Sequence, residues 1–128
     1  MYGAREHAFY YLTAMNEAYL QPPMPDGAEV GIVKGLYKVR PAPDPTIGPR
    51  LHLFGSGAIL REVLRAQTLL AVQGVAADVW SVTSYSELRR EALSCDRWNR
   101  LHPGEPPIVA WLTRALADEP WPIVAATD

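Results

Sequence analysis

The sequence predicts an α/β domain of three layers around a mostly parallel sheet, and three observations carry that prediction. Between Leu51 and Leu88, a short apolar run ending in Gly55-Ser56-Gly57 leads into a segment with apolar side chains at helical spacing. A second β-branched and aromatic run follows at Asp78–Thr83. No tight hairpin joins the two runs, so a crossover helix must return the chain to the starting edge and the strands must lie parallel. Beyond them, a capping pattern, a proline helix start and a last apolar run repeat the alternation of helix and strand.

The composition is that of one core-forming domain. Of 128 residues, 48% are hydrophobic and 20% charged, enough for a single compact core. The net charge of -2, with Lys and Arg scattered along the chain, argues against a nucleic-acid partner, which needs a basic face to neutralise phosphates. Cys95 is the single cysteine, which excludes an intrachain disulfide and a thiolate zinc cluster and fits a reducing, cytoplasmic setting. No apolar run approaches the roughly 20 residues of a membrane span, and the N-terminus lacks the basic-then-apolar layout of a signal peptide.

In chain order, residues 8–15 (AFYYLTAM) read as a buried strand. Pro22, Pro23, Pro25 and the Asp26-Gly27 pair then mark a linker, placed over residues 19–35, whose end from Ala28 to Gly35 has room for one or two helical turns. Leu36–Arg40 alternates like an edge strand, and four prolines keep residues 41–49 a loop. Leu51–Phe54 opens the core unit, with Ser56 as the expected helix cap. Ile59, Leu60, Val63, Leu64, Ala66, Leu70 and Ala71 form the apolar stripe of the following helix, and Arg61, Glu62, Arg65 and Gln67 its wet side. Gly74 suits a left-handed helix end. Ser84 and Glu87 make an S-x-x-E capping box before a helix over Tyr85–Leu101. Leu88, Ala92, Cys95 and Trp98 are expected to share the buried face of that helix, with Arg89, Arg90, Glu91, Arg97 and Arg100 outward. His102-Pro103-Gly104 stops it, Pro107 starts a third helix with Ile108, Trp111, Leu112, Ala115 and Leu116 on its apolar face, and Pro122–Ala126 is a third core strand.

No catalytic constellation stands out. The Gly55-Ser56-Gly57 turn opens a helix whose free N–H groups suit a phosphate or carboxylate, yet it lacks the third glycine of a dinucleotide fingerprint and the Lys-Ser/Thr of a P-loop, and reads as a tight strand-to-helix turn. His7, His52 and His102 fall in different elements and read as unrelated: a strand entry, a strand interior and a helix end. Cys95 reads as core despite neighbouring arginines. Asp78, Asp128, Glu62 and Glu87 read as structural charges at element ends. Trp80, Trp98, Trp111 and Trp121 are spread one per element, as a core or an interface uses them. Because ligands of doubly wound sheets sit beyond the carboxyl ends of the strands, the ends to watch are Gly55-Ser56-Gly57, Thr83-Ser84 and Thr127-Asp128. A strand ending in Thr127-Asp128 is expected to feed a further helix and strand, so the domain reads as incomplete.

Several blocks carry a family resemblance: MYG with FYYLTAMNEAYLQPPMPDGAEVGIVKGLYK, then GSGAILREV, AADVWSVTSYSELRREA and DRWNRLHP. Together, and over nearly the whole chain, they resemble the thiamine-diphosphate-dependent first component of the pyruvate dehydrogenase complex, of the bacterial homodimeric type. The resemblance implies that residues 1–18 are the terminal strand of a preceding thiamine-binding domain, 19–35 a linker, and 36–128 a truncated transketolase-like C-terminal domain. It further implies a parent that decarboxylates pyruvate with thiamine diphosphate and magnesium, passes the acetyl group to a lipoyl-bearing acetyltransferase core and forms a homodimer. In that parent this piece braces the thiamine domains and builds the dimer interface, through apolar faces such as Trp111 and Leu112. The family's aminopyrimidine-activating acid, its G-D-G motif and its active-site histidines fall upstream, so no catalytic, cofactor-binding or metal residue is carried onto any position here. The chain alone is expected to be inactive. The alternative is a free-standing α/β interaction module without catalytic activity.

This reading sets an outcome for calorimetry of the 128-residue chain with thiamine diphosphate and magnesium: no saturable heat. Saturable binding near one site per chain or per dimer contradicts it and points first to the Gly55-Ser56-Gly57 turn.

Overall fold

A computed structural model describes residues 11, 18 and 20–127. Apart from Tyr11, which is exposed, the strand expected over residues 8–15 lies outside the described residues, as does Asp128.

Four strands form one sheet: β1 (Leu36–Arg40), β2 (Arg50–Gly55), β3 (Ala76–Val82) and β4 (Ile123–Ala126), in the order β1-β3-β2-β4. Pairing of β2 with β3 is parallel, Leu53 opposite Val79 and Phe54 opposite Trp80, as the crossover requires. The pairing of β2 with β4 is also parallel. β1 occupies the far edge, as its alternation predicts, but runs antiparallel to β3, with a bulge between Lys38 and Arg40. The sheet is therefore mixed, two parallel ladders and one antiparallel.

Every residue of β3 is buried, because the strand has a neighbour on each side and a layer on each face. Helix α2 (Ile59–Val72) covers one face, where Leu53, Leu60, Val63, Ala77 and Val79 pack together. On the other face Leu36, Phe54, Trp80, Val82 and Leu88 form a second cluster, joining α3 (Tyr85–Leu101) to the sheet. α4 (Trp111–Ala115) closes that face, with Trp111, Leu112, Ala115 and Leu116 half-buried against the cluster. Trp111 and Leu112, expected at an intermolecular interface, thus give part of their surface to the core of the chain, and the Trp111 indole donates to the Leu36 carbonyl at 3.0 Å.

The short helix α1 (Glu29–Lys34) ends at Gly35, whose left-handed φ of 101° lets the chain turn into β1. Thr83 holds it down, its hydroxyl donating to Ile32 O at 2.7 Å and its N–H to Gly35 O at 3.0 Å. α3 spans the expected Tyr85–Leu101, and Ser84 Oγ accepts from the Glu87 N–H at 3.1 Å. Leu88 is its buried residue and Cys95 and Trp98 are half-buried, but Ala92 is exposed, because the covered stripe is narrower than its apolar positions suggest.

Three polar side chains depart from their expected places, Gln67 and Glu91 because a distant backbone group needs a partner and Ser56 because it meets a distant hydroxyl. Gln67 is 1% exposed: it lies one heptad beyond Leu60 on the packed stripe, its amide donates to Ala77 O at 2.7 Å and Pro41 O at 2.9 Å, and its carbonyl accepts from Arg40. Glu91, expected outward, accepts the Trp111 N–H at 2.8 Å and so caps α4 from a neighbouring helix. Ser56 leaves α2 uncapped; its hydroxyl donates to Thr127 at 2.8 Å and ties the end of β2 to the end of β4. The third helix starts at Trp111 and not at Pro107, since the Asn99 amide bonds both the N–H and the carbonyl of Ile108 and keeps that residue out of the helix. β4 is an edge strand and not a core one, with Ile123 and Val124 exposed.

Gly48 and Gly27 separate the cost of backbone conformation from that of crowding. Both have positive φ, but a Cβ on Gly48 would lie 2.0 Å from the Gly74 carbonyl oxygen, while one on Gly27 meets nothing within 4 Å. Denaturant unfolding is expected to show about 1–2 kcal/mol lost for Gly27→Ala, the left-handed conformation alone, and a clearly larger loss for Gly48→Ala. Equal losses would contradict this geometry.

Candidate functional site

β2 and β3 both carry polar residues at buried positions. His52 is 0% exposed and Asp78 2%, directly opposite one another in the parallel ladder. They share the face of the sheet that carries Phe54 and Trp80, since alternate residues of a strand point the same way. The bend after α4 brings Glu119 and Trp121 over them, and Lys38 reaches in from β1. His52 and Asp78, far apart in sequence, are thus gathered with Trp80 and Trp121; Cys95 on α3 and His102 just past its end stay separate, and His7 lies outside the described residues.

The hydrogen bonds define the His52 ring. The Trp80 indole N–H can only donate, so His52 Nδ1, at 3.1 Å, accepts. That leaves the ring proton on Nε2, which faces the Glu119 carbonyl at 2.7 Å. Trp80 meets the imidazole edge-on at 5.7 Å, and Trp121 covers it at 5.3 Å. With Nδ1 accepting, the 3.9 Å approach of Asp78 to the same nitrogen is proximity and not an ion pair.

Asp78 is neutralised elsewhere. Its Oδ1 accepts the Ala42 N–H at 2.7 Å, and its Oδ2 accepts from Lys38 Nζ at 3.2 Å, with the Arg50 guanidinium 3.9 Å away. Lys38 also bonds Glu119 Oε2 at 2.6 Å, with its ammonium 5.0 Å from the centre of the Trp80 ring. Arg50 lies over Trp121, its Cζ 3.3 Å from the ring centre.

Donor atoms of His52, Asp78 and Glu119 lie within 4.8 Å of one another, a convergence that also suits a divalent cation. The chemistry of the set goes against that use. The Lys38 ammonium already bridges the two carboxylates, and both imidazole nitrogens are committed to Trp80 and Glu119. A second cation would have to displace Lys38 from between its partners. The cluster also lies toward the amino ends of β2 and β3, away from the carboxyl ends where such sheets bind ligands.

At the carboxyl ends, Gly57 turns the chain with φ 51° into α2, Ser56 bonds Thr127, and Ser84 caps α3. Among the described residues this end offers hydroxyls, backbone and the carboxylates of Glu62 and Glu87 in the first turns of α2 and α3, which pair with Arg65 and Arg90 of their own helices. Titration is perturbed at two other groups: the Thr46 hydroxyl and N–H hold the exposed Asp44 carboxyl below its ordinary 3.8, and at the start of α3 burial pushes the Tyr85 phenol above 10.0. No described helix is long and apolar enough to cross a membrane.

A role in packing was readable for His52 from its place inside an apolar strand. Lys38, Glu119 and Trp121 were not foreseen as its neighbours, and the signal that could have raised them is the fully flanked position of β3, which obliges Asp78 to find cations.

Residues 35–128 match the family described as the transketolase-like TK C-terminal domain. Over its full length the chain is 46% identical to the pyruvate dehydrogenase E1 component of Pseudomonas aeruginosa, 47% to that of Escherichia coli K12 and 44% to that of Mycolicibacterium smegmatis. It spans 14% of the length of each of these relatives.

If the cluster is a structural fastening, Zn2+ or Mg2+ leaves the melting temperature of the chain unchanged, and Trp80→Phe lowers stability by about 1–3 kcal/mol through the unpaired His52 nitrogen. Concentration-dependent stabilisation by either ion, abolished in Asp78→Asn, would contradict that assignment.

Proposed function

The chain belongs to the transketolase-like C-terminal domain family, and on that premise we propose that it serves as the bracing and dimer-interface domain of a cytoplasmic, acetyl-transferring pyruvate dehydrogenase. The observation that carries the reading is identity at 42% or above to pyruvate dehydrogenase E1 components along 100% of the chain. No observation favours the free-standing interaction module.

In this reading the larger enzyme decarboxylates pyruvate with thiamine diphosphate and magnesium, and hands the acetyl group to a lipoyl-bearing acetyltransferase. The described residues do not fit that cofactor. A magnesium-bound diphosphate calls for oxygen donors with negative charge, and the convergent carboxylates here are bridged by Lys38. No chemical step is therefore assigned to this chain. Its own contribution is mechanical. The two clusters and the polar fastening make a stiff three-layer block, and the least covered element, β4, presents Ile123 and Val124 for packing against the rest of the enzyme. The preceding residues, 1–18 as a strand of the neighbouring domain and 19–35 as linker, complete the proposal.

A chimera tests it. With the aligned stretch of the Escherichia coli pyruvate dehydrogenase E1 component replaced by this chain, pyruvate turnover and dimer mass are expected to persist. Activity should stay within about tenfold, an added barrier below about 1.4 kcal/mol. A folded chimera that is monomeric or inactive would contradict the reading.

A further inference from the structure

α1 falls in the stretch expected as linker, yet its contacts tie it into the domain. Six residues without a side-chain cap do not hold a helix in water on their own. Apolar burial adds little, since Val30 is 58% exposed and Val33 78%. What holds α1 is a set of polar ties and one close approach. The Thr83 hydroxyl donates to Ile32 O at 2.7 Å, and Gly35 O accepts from the N–H groups of Thr83 and Ser84 at 3.0 and 3.3 Å. Gly31 lies so near β1 that a Cβ there would stand 2.7 Å from both Leu36 O and Tyr37 Cβ.

The same ties lead to α4. Trp111 is held at two points, its backbone N–H by Glu91 Oε2 at 2.8 Å and its indole N–H by Leu36 O at 3.0 Å. Both acceptors adjoin α1. Leu36 follows Gly35 directly, and Glu91 Oε1 lies 3.7 Å from Nζ of Lys34, in the last turn of α1. The lysine is 44% exposed and its pair weak, so the Leu36 carbonyl carries most of the connection. Gly31 of α1 and Trp111 and Ala115 of α4 line one cavity of about 300 Å³, a gap that close-packed helices do not leave. The groups bordering that gap are what join the two short helices.

We propose that α1 is a strap with two positions, docked on Thr83 or released, and that its docking sets how firmly α4 is held. Once released, α1 no longer fixes the Gly35-Leu36 turn, and the Leu36 carbonyl loses its aim at the Trp111 indole. A pull on the chain before α1 therefore reaches α4, because one two-position element is biased by both ends. Every contact of the strap lies within this chain, so the device stands whether or not the bracing role does, and whatever covers the outer faces.

Gly31→Ala separates docking from helix formation. Alanine raises the helical preference of α1, while its Cβ keeps the helix off β1. Thr83→Val is milder, removing the hydroxyl that holds Ile32 O and leaving the backbone ties. Hydrogen exchange of the 128-residue chain, followed by NMR, reads the Trp111 indole proton and the Arg114 amide, which bonds Ala110 O at the start of α4. In the parent chain both are expected to exchange faster than the Val79 amide at the centre of the sheet, as a separately opening unit does. In either variant they exchange faster still, by about threefold or more, the loss of one hydrogen bond. Val33→Ala, at an exposed position of α1, does not accelerate them. α4 protons as slow as that of Val79 in the parent chain overturn the proposal, as do rates in α4 that neither Gly31→Ala nor Thr83→Val raises, or that Val33→Ala raises equally.

Discussion

The buried carboxylate of Asp78 is the constraint around which much of this domain is arranged. β3 is flanked by strands on both sides and covered on both faces, so a charge on it has no route to water and must be met by cations and hydrogen bonds. Lys38 comes from β1, Arg50 from the start of β2, and the Ala42 N–H from the proline-rich loop. Each of these contacts fixes an element relative to the central strand. Lys38 then brings in Glu119, and Glu119, through its carbonyl, locks the His52 ring that Trp80 already orients. One buried charge thus accounts for the placement of β1, the loop after it and the bend that leads into β4.

The two halves of the sheet differ as a result. Toward the amino ends of the parallel strands, polar side chains are paired and packed under Trp121, which leaves little to rearrange. Toward the carboxyl ends, short hydroxyl contacts such as Ser56 to Thr127 and the Ser84 cap of α3 leave the backbone close to the surface. A domain built in this way resists deformation at one end and presents the other, which suits a brace within a larger enzyme more than a reaction centre of its own.

Features with local causes were legible in the sequence. Ser84 and Glu87 mark the start of α3 and His102-Pro103-Gly104 its end, so both bounds are readable; so is the parallel β2-α2-β3 unit, since no other connection fits the spacing. Features with distant causes were not. Gln67 looks like a solvent residue until Ala77 and Pro41 are seen to need its amide, and Glu91 looks outward until α4 needs a cap. The partners Lys38 and Glu119 are 81 residues apart, a separation across which polarity patterns carry no information. The direction of β1 was equally hidden, because an isolated edge strand states its alternation and not its orientation. For the candidate site, the place of His52 inside β2 was readable, but the ring of side chains around it was not.

The most direct test of the central role given to Asp78 is a double-mutant cycle of Lys38→Met and Asp78→Asn, with stability read from denaturant unfolding of all four proteins. If the lysine is there to neutralise the buried carboxylate, the two losses are strongly non-additive, with a coupling of about 1–3 kcal/mol, because removal of the charge removes the need for its partner. Losses that simply add would show that Asp78 and Lys38 stabilise the domain independently, and the fastening described here would not exist.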